Sequence, residues 1–91
     1  MSKTEAIILR KLRELKGLNR KEAGVLLELT FKAVERFENG RTTLNRSRID
    51  KILSAYGLTF IDFEECRDGK IEQIKKRLGH KQIKVVENNT L

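Results

Sequence analysis

Asn19-Arg20-Lys21-Glu22-Ala23-Gly24-Val25-Leu26-Leu27-Glu28-Leu29-Thr30-Phe31-Lys32-Ala33-Val34-Glu35-Arg36-Phe37-Glu38-Asn39-Gly40 is the stretch that decides the fold. Asn19 and Glu22 stand at capping-box spacing, so a helix opens at Asn19. Ala23, Leu26 and Leu27 carry its apolar periodicity, and Gly24 is small. Thr30 is a second N-cap, opening a helix from Phe31 to Glu38 with Val34 and Phe37 facing inward. Asn39-Gly40 ends it, because both residue types tolerate positive φ. Only Glu28-Leu29-Thr30 separates the two helices. Helices this short are unstable alone and must pack on neighbours. Two of them joined by so tight a turn form a helix-turn-helix, whose second helix can enter the DNA major groove.

Working outward, Ser2 and Glu5 also have capping-box spacing, so a first helix is expected after Ser2. Ile8, Leu12 and Leu15, with Ala6 and Leu9, form its apolar face. Arg10, Lys11, Arg13 and Lys16 take the other face, and Gly17 is the stop. Residues 41–45 read as a loop. A fourth helix follows Asn45, carries Ile49, Ile52, Leu53 and Tyr56, and closes at Gly57. Thr59 and Asp62 suggest a last short helical turn with Phe60 and Phe63 inward. Asp68-Gly69 is a turn signal. Lys70 to Leu78 puts Ile71, Ile74 and Leu78 on one helical face, with Gly79 as its stop. Gln82 to Glu87 is β-like, and a lone strand needs a partner to complete its ladder.

The chain has 91 residues and a formal net charge of +7. That length suits one domain with a small core. Residues 1–64 hold 13 basic and 9 acidic side chains, and residues 65–91 hold 7 and 4. The excess makes nucleic acid the first anionic partner to consider and a membrane surface the second. No apolar run approaches the roughly 18 residues of a membrane span. The start, Met1-Ser2-Lys3-Thr4-Glu5, lacks a signal-peptide pattern. A single cysteine, Cys66, excludes an internal disulfide and fits a reducing cytoplasm. His80 is the only histidine. With Cys66 it makes no zinc-ligand set and no motif-supported nucleophile pair, and no Gly-rich phosphate loop is present. No enzyme activity, metal or cofactor is expected.

Leu12 to Gly24, with Val34-Glu35-Arg36-Phe37-Glu38-Asn39-Gly40-Arg41 and Ile49 to Thr59, resembles the Cro/C1-type (XRE-like) helix-turn-helix family over roughly residues 5–64. The resemblance implies an all-α, five-helix lambda-repressor-like domain over 1–64. Residues 65–91 then form a C-terminal extension, a short helix plus a possible β-strand. It also implies a sequence-specific transcriptional regulator, bacterial or phage-encoded and cytoplasmic. Such a regulator is a repressor or autoregulator that binds a palindromic operator as a homodimer. Half-sites in such operators lie roughly 34–36 Å apart.

Four departures from the family pattern bear on structure. Asn19-Arg20 replaces the common Ser-Gln; Asn19 keeps the cap, and Arg20 points to a phosphate contact rather than the amide's network. Glu28 stands where Gly is usual, at a penalty of about 1 kcal/mol if that residue is left-handed. Gly24 replaces Ala, meeting a steric need while weakening the helix by about 1 kcal/mol. Val25, Leu26 and Ile61 are apolar where the family is often polar, so the tail or a partner is expected to cover them.

The family's base-reading positions match Phe31, Lys32 and Arg36, with Glu35 beside them on the same strip. Arg36 can make the bidentate contact to guanine, and Lys32 can reach guanine or phosphate. Phe31 either packs on a thymine methyl or belongs to the core. Glu35 either accepts from cytosine or forms an ion pair within its helix. Asn19, Arg20, Lys21, Arg41, Thr42, Thr43 and Arg46 flank the recognition helix as phosphate contacts, Arg46 at a position that approaches the minor groove. Glu38 is expected to pair locally with a basic side chain. The competing reading is a protein-interaction module, antitoxin-like, whose residues 65–91 bind a partner.

Overall fold

The computed structural model describes residues 2–78. In it the chain forms α1 (Ser2–Leu15), α2 (Arg20–Leu27), α3 (Phe31–Glu38), α4 (Arg46–Ala55) and α5 (Phe60–Arg67). Residues 71–78 are helical as well and are called α6. Among the described residues there is no β-strand. The expected stop at Gly79, His80 and the strand-like 82–87 lie outside the described residues.

Side chains that cap the helices set most of these boundaries. Asn19 Oδ1 accepts from the Glu22 amide at 2.7 Å while Glu22 Oε1 accepts from the Asn19 amide at 2.8 Å. Thr30 Oγ1 accepts from the Ala33 amide at 3.1 Å, and Asn45 Oδ1 from the Arg48 amide at 2.8 Å. Each such cap is worth about 1 kcal/mol. At the start of α5 the Asp62 carboxylate accepts from the Thr59 amide at 2.8 Å. The expected short turn after Thr59 is instead an eight-residue helix, because this cap is followed by the buried Phe63 and Cys66. Helix α1 already includes Ser2, one residue earlier than expected. A shift of that size is ordinary at helix ends.

The core sits where α1 lies across α3 and α5, with α2 packed on α3 and α4 closing the other side. Leu9, Leu12, Val34, Leu53, Tyr56 and Ile74 are its largest fully buried side chains. Ile74 and Leu78, from α6, belong to the same core as Leu9. The expected boundary after residue 64 falls inside α5.

The turn between α2 and α3 is tight enough to dictate residue type. Gly24 O accepts from the Leu29 amide at 2.8 Å, and a Cβ on Gly24 would stand 2.6 Å from Leu29 O. Glu28 adopts the left-handed conformation, φ 57° and ψ 41°. Leu26, part of the apolar periodicity read for α2, is half exposed, and Val25 and Ile61 are more exposed still; the buried face of α2 is Ala23 and Gly24, with Leu27 partly buried.

Candidate nucleic-acid interface

Helix α3 is anchored by Val34, Phe37 and Glu38, all buried. Its opposite strip is left outward, and Phe31, Lys32 and Arg36 are exposed on it. Phe31 is 47% exposed, which removes the core reading of that residue.

Beneath α3 lies a charged network that joins three helices. Glu38, with no exposed side-chain surface, accepts from Arg13 Nε at 2.6 Å and Nη2 at 3.1 Å. Arg13 Nη1 also donates to Leu18 O at 2.6 Å. The expectation that Arg13 sits on the polar face of α1 is therefore corrected. Its charge is drawn inward by a carboxylate that α1's own periodicity does not contain. Arg20 Nε donates to Glu38 Oε1 at 3.1 Å, and Arg20 Nη1 lies 3.7 Å from Glu35 Oε2. Arg20, expected to reach phosphate, is instead engaged by Glu38, because α2 and α3 bring that carboxylate within its reach. Glu35 forms an ion pair, but with α2 rather than within its own helix. Tyr56 is buried beside this network. Burial, then the nearby Glu38 carboxylate, push its phenol well above the usual range against the opposing Arg13.

The flanking residues divide by what already holds them. Lys21, Arg41 and Thr43 are exposed, and Thr42 is half-buried. Asn19 is exposed but commits its side-chain oxygen to the cap. Arg46 pairs with Asp50 at 3.1 Å and lies over the Phe60 ring at 3.4 Å, so its guanidinium is held between α4 and α5. Arg10, Arg13, Arg20, Arg46, Arg67, Lys75 and Arg77 all have acidic partners. Lys32, Arg36, Arg41, Arg48 and Lys51 have none among the described residues. Lys3, Lys11, Lys16, Lys21, Lys70 and Lys76 are likewise without one, so the α3–α4 stretch holds five of the eleven unpaired cations among the described residues.

An open groove of about 460 Å³ runs between α3 and α4. Its floor is Leu27, Leu29, Ala33, Phe37, Leu44 and Ile52, and its rim is Arg36, Thr42, Arg48 and Lys51. Arg48 and Lys51 were missed by the sequence reading. Their one-turn spacing beside Ile52 on α4 was the available signal.

A helix-turn-helix domain model matches residues 6–64, well over half of the chain. The chain belongs to the helix-turn-helix domain family. The match spans α2 and α3. The crystal structure of ClgR, the clp gene regulator from Corynebacterium glutamicum, is similar at a TM-score of 0.65 and 16% identity. The match covers 90% of this chain and 87% of that one, so the likeness extends past the helix-turn-helix domain and is one of fold. Comparison with curated proteins by sequence gave no match. No described helix is long and apolar enough to cross a membrane.

Proposed function

We propose that this helix-turn-helix protein is a DNA-binding transcriptional regulator that lays α3 in the major groove of a palindromic operator and acts as a homodimeric repressor. The observation that carries this is the outward strip of α3. Lys32 and Arg36 are exposed, lack acidic partners, and ride on a helix fixed by buried Val34, Phe37 and Glu38. A rigid helix with free cations fits direct base readout, with Arg36 on guanine O6 and N7. Phe31 packs on a thymine methyl, and Glu35 stays with Arg20. Lys21, Arg41, Thr42 and Thr43, with Asn19 and the α2 N-terminus, take phosphate. Arg20 and Arg46, already engaged by Glu38 and Asp50, contribute less than Arg41. Ile61, 62% exposed on α5, offers apolar surface for pairing of two copies.

Selection of bound duplexes from a random library at about 0.15 M salt tests this reading. The expected product is a two-fold motif whose half-sites lie about one helical turn apart. Arg36→Ala then relaxes one base position, and Arg41→Ala weakens all sequences alike. Selection of no motif, with affinity that simply collapses as salt rises, overturns it in favour of a partner-binding module.

A further inference from the structure

The groove between α3 and α4 has a composition that double-stranded DNA does not satisfy. Its rim cations Arg36, Arg48 and Lys51 lack acidic partners among the described residues. The rest of its lining is largely apolar and includes Leu29, Ala33 and Leu44. Phosphate along the rim would neutralise the cations and leave the floor wet. A purely apolar guest would fill the floor and leave the cations unanswered. An occupant that matches both has an apolar body and one anionic end. The volume of about 460 Å³ lies within the range of small-molecule sites, which combine apolar walls with a few placed polar groups.

We propose that this groove binds a small amphipathic carboxylate, its apolar body on Leu29, Ala33 and Leu44 and its carboxylate on Arg48, Lys51 and Arg36. Arg36 is shared between the groove rim and the outward strip of α3. A carboxylate there withdraws the guanidinium from a base edge, so bound ligand and DNA compete. The competition rests on the DNA-binding reading; the binding itself does not.

The probe is 2-naphthoate, titrated into the full chain while the Ala33 and Leu44 methyl resonances are followed. Saturable shifts at these two residues are expected. Acetate, which lacks the apolar body, and 2-naphthalenemethanol, which lacks the charge, bind at least about tenfold more weakly, a difference of about 1.4 kcal/mol. Arg48 and Lys51 are exposed, so the Arg48→Ala/Lys51→Ala double variant keeps the helical spectrum and loses at least about tenfold in affinity. Shifts that stay linear with ligand, or an alcohol that binds as well as the acid, overturn the proposal. So does a double variant that binds DNA more weakly in a protein that takes no naphthoate; the groove rim is then part of the DNA surface. With the selected operator in hand, saturating naphthoate raises the apparent Kd for DNA by at least about tenfold. If no operator is selected, the titration without DNA still decides the groove.

Discussion

Arg13 and Glu38, 25 residues apart in the chain, are joined by two hydrogen bonds of 2.6 and 3.1 Å that tie the last turn of α1 to the end of α3. The Glu38 carboxylate is fully buried and answers two guanidiniums, Arg13 and Arg20. Removing it strands a cation in the interior. Glu38→Ala is therefore expected to lower unfolding free energy by about 3–5 kcal/mol. Arg20→Ala, at a partly exposed partner, costs less. Urea unfolding of the two variants checks the order, and a larger loss for Arg20→Ala would contradict it.

Gly24 sets two effects against each other. Alanine would raise helix propensity by about 1 kcal/mol. It would also place a Cβ 2.6 Å from Leu29 O, a backbone atom held by the turn. A side chain could swing away, but the turn carbonyl cannot without breaking the 2.8 Å bond from Leu29 N to Gly24 O. The steric term wins, and Gly24→Ala lowers stability by about 1–3 kcal/mol, the usual cost of overpacking. A thermal melt that rises on this substitution would show that the turn is softer than its geometry implies.

Four residues on, the preference reverses. Glu28 has φ 57°, a conformation that costs an L-residue about 1–2 kcal/mol and glycine almost nothing. Its exposed side chain makes no compensating cap. Part of the gain is returned through the greater entropy of an unfolded glycine. Glu28→Gly is expected to raise stability by about 1 kcal/mol, read as a higher urea midpoint at unchanged slope.

Local signals reached some of these features and not others. Asn19, Thr30 and Asn45 marked helix starts because a cap is a bond between residues three apart. The strain at Glu28 was legible only through the family resemblance, in which glycine is usual at that turn position. The outward placement of Phe31 was not decided by pattern, since an aromatic at a helix start suits core and surface alike. Arg13 was misplaced because its partner is 25 residues distant and periodicity carries no information about α3. Arg20 and Glu35 were read separately, although the α2–α3 packing brings them to 3.7 Å. The groove depends on Leu29, Ala33 and Leu44 meeting Arg48 and Lys51, a juxtaposition of three segments that only tertiary packing creates.

Asp62 gives the fold an acid-sensitive joint. It caps α5 through the Thr59 amide and accepts from Arg77 of α6, which also pairs with Glu65. Burial works to raise its pKa, but the Thr59 amide and hydroxyl and the Arg77 guanidinium together hold it below the ordinary value of 3.8. A folded pKa below the unfolded one means that the unfolded chain binds protons first as pH falls. The stability Asp62 contributes is complete above 3.8 and is lost as pH falls through that value to the lower folded pKa. At neutral pH, Asp62→Asn costs about 1–3 kcal/mol through the weakened cap and the unpaired Arg77. From about pH 4 downward the gap between wild type and variant narrows, because the unfolded wild-type chain binds a proton there first, and it closes once the pH is below the lower folded pKa. Urea unfolding from about pH 6 to pH 2 follows that gap, and a difference that stays constant across the range would show that Asp62 is not the joint.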